Sequence, residues 1–250
     1  MSNDKMQTHK FLSALQHRLS HELPSPSAMR EAIQKMIAEP KNENNKHLRP
    51  REAAFLNGFA VPKIFEHMQT LPGIGEKEAK QALLSEYYGS MRKYHQQSPR
   101  RRLDHPFEKS RRVPAEILNR WFGKEPNNTG GFRKPFHQPC PDLAWGNPFP
   151  HKVVFETKYF WDGKGPETQL VDGIYETFYY LAMPRLSAAP SHPAWDYDFG
   201  CFLAFDASPE RSLERAWEGI EEEVKSQFWS RGNLFVMIIR PTETAILRPK

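Results

Sequence analysis

Cysteine is scarce in this sequence, with 2 residues among 250. Cys140 and Cys201 cannot form the disulfide framework of a small secreted protein, and they favour reduced thiols in a cytosolic protein. No stretch approaches the roughly 18 uncharged apolar residues that a membrane span needs. The first residues also lack the apolar run of a secretory signal. We therefore expect a cytoplasmic protein that does not contact a membrane.

A second absence concerns nucleotide-driven chemistry. The sequence has no GxxxxGK[ST] loop, so ATP-driven action by this chain alone is not expected.

Glycine is outnumbered by proline, 14 to 22, which indicates many stiff loops. Apolar residues still make up 38% of the chain, enough for a hydrophobic core, and this excludes disorder along its whole length.

Charge is divided unevenly along the chain, which has a formal net charge of +5. Residues 1–140 contain 24 basic and 14 acidic side chains, whereas residues 141–250 contain 11 basic and 16 acidic ones. Such a division suits a protein that binds a polyanion with its first half and holds metal-binding carboxylates in its second.

The periodicity of apolar residues predicts two domains. The first 110 residues or so show helical spacing, including a helix from Ser27 to Ala38 with Ser27 as its N-cap and another from Glu76 to about Gln96. The polar, basic and prolyl stretch 97–106 is a natural boundary. We therefore predict a helical domain over residues 1–109 that binds or positions DNA, and a second domain over 110–250.

The second half alternates between helical and strand patterns. A short helix over Pro114–Phe122 is followed by two predicted strands, Phe132–Trp145 and Lys152–Phe160. A helix, a strand, a helix over Pro209–Phe228 and a last strand complete the order. This interleaving predicts an α/β fold with a mixed sheet flanked by helices.

The most informative residues of the second half are two carboxylates and an amine. Side chains alternate along a strand, so Glu156 and Lys158 share one face with Val154. The segment Gly146–Pro150 is a strong turn sequence. If it closes a hairpin, Asp142 falls opposite Glu156 to within about two residues of register, and cross-strand neighbours have Cβ atoms about 5 Å apart.

These residue types suit metal-assisted hydrolysis of a phosphodiester. Two adjacent carboxylates repel each other unless a cation or proton lies between them, and Mg²⁺ favours one or two carboxylates plus water. The lysine can orient or deprotonate the attacking water, or stabilise charge on a phosphoryl oxygen. The alternative is a structural salt bridge on a surface hairpin. Apolar flanks such as Val153–Phe155 make an idle charge cluster there costly.

The stretch resembles the PD-(D/E)xK nuclease superfamily, with Pro141–Asp142 and Glu156–Lys158 as the matching residues. The resemblance implies a restriction-endonuclease-like core of a helix, a three-strand meander, a helix and a closing strand. It also implies that Asp142 and Glu156 hold Mg²⁺, for which Mn²⁺ can substitute, and that Lys158 serves the nucleophile. Members often add an acidic residue on the preceding helix and a glutamine on the following one, for which Glu116 and Gln169 are the candidates.

A second motif lies in the basic half, over residues 65–83. Gly73 and Gly75 lie within Leu71–Gly75 between two helical patterns, an arrangement that resembles a helix-hairpin-helix element. Such a turn lets backbone N–H groups approach a phosphate, and Lys77 could add charge. An ordinary turn between helices explains the glycines equally well.

A third candidate feature is a run of arginines near the domain boundary. Side chains there could each neutralise a DNA phosphate and make binding strongly dependent on salt. A solvated linker is the alternative. The residues are Arg100, Arg101, Arg102, Arg111 and Arg112.

Taken together, these features predict a divalent-metal-dependent DNA endonuclease acting on double-stranded DNA. A restriction or defence endonuclease, working as a homodimer because a duplex needs two cuts, is the first expectation. A repair or recombination nuclease for branched or damaged DNA is the alternative within that class. Outside it, the alternatives are a DNA-binding protein with an inactive nuclease fold and an α/β protein whose hairpin charges are structural.

Overall fold

The computed structural model describes six stretches of the chain, and every structural statement below refers to them. They are residues 3–40, 49–85, 141–145, 152–161, 165–182 and 197–241.

Helices dominate the first 82 residues. The elements are α1 (Asn3–His21), α2 (Pro26–Ala38), α3 (Pro50–Phe55), a π-helical turn (Leu56–Ala60), α4 (Val61–Met68) and α5 (Glu76–Ala82). Helix α2 begins one residue earlier than its sequence predicts, because Ser25 and not Ser27 is the N-cap. The Ser25 hydroxyl accepts a hydrogen bond from Ala28 N, and Pro26 occupies the first turn, where its missing N–H does no harm.

Strands and helices alternate in the rest of the described chain. The elements are β1 (Leu83–Ser85), β2 (Leu143–Trp145), β3 (Val153–Phe160), α6 (Pro166–Ala182), β4 (Phe199–Asp206), α7 (Ser212–Glu218), α8 (Glu222–Ser230) and β5 (Leu234–Ile239).

The five described strands form one mixed sheet in the order β1-β2-β3-β4-β5. Strands β1, β2 and β3 pair antiparallel, as a meander, whereas β3, β4 and β5 run parallel. A parallel neighbour requires a crossover connection, and α6 lies in the one between β3 and β4. Every residue of the inner strand β4 is buried, as expected for a strand covered on both faces. The predicted α/β class with a mixed, helix-flanked sheet is confirmed.

Two hydrophobic clusters cover the two faces of the sheet. One contains Leu12 of α1, Phe55 of α3 and Phe155 of β3. The other contains Val154 of β3 and Phe178 of α6. Adjacent residues of β3 therefore point to opposite layers, as the predicted alternation requires. The N-terminal helices and the sheet share a core in the described residues.

Two predicted helices are wrong in extent. The helix expected from Glu76 to about Gln96 ends at Ala82, and Leu83–Ser85 instead forms β1, because pairing with β2 outweighs the local helical spacing. The helix expected over Pro209–Phe228 is split into α7 and α8, since Gly219 ends the first of them.

Several other predictions lie outside the described residues. They are the 109/110 domain boundary, the Pro114–Phe122 helix and the part of the Phe132–Trp145 strand that precedes Pro141. Cys201 is a buried free thiol in β4. Among the described helices, none combines the length and apolarity needed to cross a bilayer.

Candidate active site

The β2–β3 register brings the predicted carboxylates together. Leu143 pairs with Phe155 in antiparallel fashion, and continuing that register by one residue sets Asp142 opposite Glu156. Both carboxylates are almost entirely buried, with 9% exposure for Asp142 and 5% for Glu156. The antiparallel pairing predicted from sequence is therefore confirmed, with Asp142 in the predicted register, whereas the predicted turn at 146–150 lies outside the described residues.

Thr157 fixes the carboxylate of Asp142. Its backbone N–H and its hydroxyl each donate a hydrogen bond of 2.7 Å to Asp142 Oδ2. Beyond Phe155, β3 extends past the end of β2, so the Asp142 carboxylate takes the place of the missing strand partner for this N–H. Both bonds use Oδ2, and Oδ1 has no donor among the described residues.

Lys158 lies between two carboxylates from different elements. Its Nζ contacts Glu156 Oε1 on the same strand and lies 2.6 Å from Glu176 Oε2 on α6. The lysine side chain is 12% exposed, so these contacts are largely shielded from water. Burial makes such pairs sensitive to the loss of either partner.

Glu52 of α3 supplies a fourth carboxyl group to the same region. Its charge interacts with those of Lys158, Asp142 and Glu176. We call the four carboxyl groups of Asp142, Glu156, Glu176 and Glu52, together with the ammonium of Lys158, the acidic cluster. Negative groups outnumber the lysine by four to one, which is a strong electrostatic imbalance in a partly buried place.

The imbalance raises carboxyl pKa values. Burial raises the pKa of Glu156 well above its usual range, and the neighbouring Asp142 charge adds to the effect. Burial likewise raises the pKa of Asp142, against the opposing charge of Lys158 and the hydrogen bonds from Thr157. Burial is also the main reason that the pKa of Glu52 rises to about 7. Asp142, Glu156 and Glu52 therefore bind protons more tightly than exposed carboxyl groups do.

The pKa of Lys158 is also raised, which for an amine favours the charged form. Burial alone would lower the pKa of its ammonium, but the charges of Glu156, Glu176, Glu52 and Asp142 together raise it well above 10.5. The pKa of Glu176 is lowered, because the Lys158 charge and a hydrogen bond with Glu156 outweigh its burial. Lys158 is thus a permanent cation next to an ionised Glu176.

The chemistry of the donor set fits a divalent cation held by two carboxylates. Among the described residues no three His, Cys, Asp or Glu side chains form a group that could hold a metal ion, and the Lys158 ammonium already compensates Glu156 and Glu176. Asp142 and Glu156 nevertheless repel each other at close range. A hard divalent ion with one or two carboxylates and several waters would relieve that repulsion.

The remaining predicted residues of the catalytic set have different positions. Gln169 lies on α6, where it lines a cavity together with Glu52 and Arg49. Lys158 contacts Glu176, two turns further along the same helix. Glu116 lies outside the described residues.

The Leu71–Gly75 turn adopts a geometry that uses glycine. Gly73 has a φ of +80°, which favours a residue without Cβ. Gly75 N–H donates to the Glu78 carboxylate at 3.1 Å, so this amide is already paired within the chain. Lys77 is exposed on α5. Backbone binding of DNA by this turn stays a prediction.

The arginines predicted to contact DNA cannot be placed relative to the acidic cluster. The residues Arg100, Arg101, Arg102, Arg111 and Arg112 are all outside the described stretches.

Sequence reasoning missed three members of the site: Glu52, Thr157 and Glu176. Glu176 had a usable signal, since it is a charged residue between the buried Tyr175 and Thr177 of an apolar helix. Glu52 had none, because nothing local predicts that α3 packs beside β3. Comparisons with family models, with curated proteins and with solved structures find no match to this chain.

Proposed function

We propose that this chain is a divalent-metal-dependent endodeoxyribonuclease of the PD-(D/E)xK type. The observation that supports the proposal most is the meeting of Asp142, Glu156 and Lys158 at one buried point of the β2–β3 hairpin. Gathering four carboxyl groups, two of them buried and two partly buried, about one amine opposes folding. A binding or catalytic task accounts for such a cluster better than a structural salt bridge does.

The strand order supports a restriction-endonuclease-like fold for the same region. Among the described residues, a helix (α5), three antiparallel strands (β1 to β3), a crossover helix (α6) and a parallel strand (β4) occur in this order, and residues 86–140, between β1 and β2, lie outside the described stretches. The order is similar to the core that the resemblance implies. The first strand, however, comes from Leu83–Ser85, and the acidic residue contributed from the N-terminal helices is Glu52.

In the proposed reaction, Asp142 and Glu156 hold Mg²⁺, for which Mn²⁺ can substitute, and Glu52 supports them. When bound, the ion would polarise a phosphoryl oxygen and lower the pKa of a bound water. Thr157 keeps the Asp142 carboxylate oriented through its two hydrogen bonds.

Lys158 acts as an ammonium, because the neighbouring carboxylates raise its pKa. A cation at this point orients the attacking water by donating to it and stabilises the charge that develops on the phosphoryl oxygens. Water adds to phosphorus, one P–O ester bond breaks, and the departing oxygen leaves as an alcohol with a proton from water. Glu176 anchors the lysine at 2.6 Å.

Double-stranded DNA is the proposed substrate, and a restriction or defence role in a homodimer is the proposed setting. The excess of basic residues over residues 1–140 supports a polyanionic partner. Cleavage of intact plasmid into discrete fragments would favour this setting, whereas activity confined to forks or junctions would favour repair or recombination.

The test is cleavage of supercoiled plasmid by the full chain in Mg²⁺ or Mn²⁺. Glu156→Gln and Lys158→Met should each reduce the rate by about 10²–10³-fold, the effect of removing one preorganised charge from a transition state. Glu167→Gln, an exposed position on α6, is the matched control and should cleave normally.

Full cleavage by both site variants would refute the assignment. A wild-type chain that binds DNA but never cleaves it would support an inactive nuclease fold instead.

A further inference from the structure

A cavity of about 410 Å³ lies between the N-terminal helices and the end of β3. Its size falls within the roughly 300–1,000 Å³ range of small-molecule sites. The walls combine cationic, aromatic and amide side chains. Those that matter for recognition are Arg49, Arg51, Glu52, Tyr159, Trp161 and Gln169.

The cavity adjoins the acidic cluster through Glu52. This residue lines the cavity, and its charge also interacts with those of Asp142 and Lys158. If a phosphodiester of a nucleic-acid strand reached Lys158, a neighbouring nucleotide of that strand would therefore lie at the cavity.

Two arginines of the cavity offer a site for an anionic group. Arg49 and Arg51 line the cavity together with one carboxyl group, that of Glu52, and the Arg49 charge also interacts with Asp172 and Glu176. Arginine presents a planar fork of donors that matches a phosphate group, and the side chain stays charged at any accessible pH.

The Arg51 side chain also lies over an aromatic ring. Its guanidinium carbon lies 4.1 Å from the centroid of the Trp161 ring. Both residues are partly exposed, and both line the cavity. Guanidinium planes and aromatic rings are the surfaces on which unstacked nucleobases bind. The stack is thus a preformed platform for a base.

A third feature of the wall is an amide. The Tyr159 side chain also lines the cavity, but its hydroxyl is buried. The Gln169 amide offers both a donor and an acceptor to a base edge.

We propose that this cavity binds one unpaired nucleotide of the DNA strand that is cleaved, with its base on the Arg51–Trp161 stack and its phosphate on Arg49. The inference rests on the proposed nuclease function and deepens it. The substrate is DNA in which a base near the cleaved bond is already unpaired or is extruded from the helix. In this arrangement Gln169 contacts the base. This role differs from the catalytic role that the resemblance implies for Gln169.

The test compares the binding of two short labelled duplexes to the full chain in EDTA, which prevents cleavage. One duplex is fully paired, and the other carries a single unpaired nucleotide. The ratio of the two Kd values removes the contribution of backbone charge, which both duplexes share. Wild type should prefer the unpaired nucleotide by about tenfold, the scale of one base–aromatic stack.

Arg51→Gln and Trp161→Leu should each reduce that preference to within about twofold. Arg30→Gln, which removes an exposed arginine on α2 outside the cavity, should keep it. Thermal unfolding of each variant shows whether a lost preference for the unpaired nucleotide is due to misfolding. If one of the two variants, Trp161→Leu or Arg51→Gln, does not fold, the other still tests the cavity.

Equal affinity of wild type for the two duplexes would overturn the inference, and so would an unchanged preference in both cavity variants. Because the binding is measured without metal, a chain that shows the preference but never cleaves would contradict the nuclease proposal alone. A chain that cleaves plasmid without the preference would contradict the cavity assignment alone.

Discussion

Lys158 Nζ lies 2.6 Å from Glu176 Oε2, a contact that joins strand β3 to the helix that follows it, α6. Glu176, which lies on α6 and not on β3, therefore helps to position the Lys158 amine. The contact also explains why Lys158 keeps its charge in a place that is shielded from water, since burial without carboxylate partners would lower its pKa.

Replacing Glu176 should therefore weaken catalysis without removing a metal ligand. Glu176→Gln keeps the shape of the side chain but loses the ion pair, so Lys158 is held less firmly and its pKa falls. We expect the rate of plasmid cleavage to drop about 10–100-fold, the usual range for a supporting contact. Single-turnover cleavage at saturating Mg²⁺ measures the effect. A drop confined to low Mg²⁺ would show instead that Glu176 acts on metal binding.

Removing the Thr157 hydroxyl should affect the metal site and stability together. Thr157→Val deletes the 2.7 Å hydrogen bond to Asp142 and should lower the free energy of unfolding by about 1 kcal/mol. Affinity for Mn²⁺, measured by calorimetric titration, should also fall, because Asp142 loses its orientation.

Thr177→Val is the matched control for this substitution. Thr177 is equally buried, and its hydroxyl donates to Gly173 O at 2.8 Å and not to a carboxylate. A similar loss of stability with unchanged Mn²⁺ affinity is expected. Equal loss of Mn²⁺ affinity in both variants would argue against a specific role for Thr157.

Glu52 should make the metal-free protein less stable as the pH rises. Its pKa is about 7 in the folded chain, mainly through burial, against an ordinary value of 4.5. Between these values the folded chain holds a proton that the unfolded chain has released, so stability declines as the pH rises from about 4.5 to 7. Glu52→Gln should gain stability over wild type at about pH 8 in EDTA and lose that advantage near pH 5.

Urea unfolding across this range measures the difference for Glu52. The exposed Glu31→Gln on α2 serves as the control and should follow wild type at every pH. A Glu52→Gln curve parallel to that of wild type would contradict the raised pKa.

Two glycines should respond to alanine in opposite ways. A Cβ on Gly173 of α6 would lie 2.0 Å from the ring of Phe202 on β4, so overpacking should destabilise the fold by about 1–3 kcal/mol despite the better helix propensity of alanine. A Cβ on Gly58, in the π-helical turn, meets nothing within 4 Å. Gly58→Ala should be neutral or stabilise by up to about 1 kcal/mol. Thermal unfolding would separate the two, and equal melting temperatures would contradict the close packing of α6 on β4.

Local patterns predicted the hairpin and much of the helical structure. Side-chain alternation placed Glu156 and Lys158 on one face, and the turn residues placed Asp142 opposite Glu156. The same reasoning failed at Leu83–Ser85, where pairing with a strand some 60 residues away decides the conformation. Glu52 could not be found for a similar reason, because contacts between distant segments leave no periodic signal.

Strand β1 has one more consequence. It comes from the first third of the sequence, yet it forms an outer edge of the described sheet, while α1, α3 and α4 cover one of that sheet's faces. A fragment lacking residues 1–85 would expose both the hydrogen-bonding edge of β2 and the apolar layer around Phe155, and such surfaces favour aggregation. We therefore do not expect the sheet to fold as an independent module without the N-terminal helices and β1.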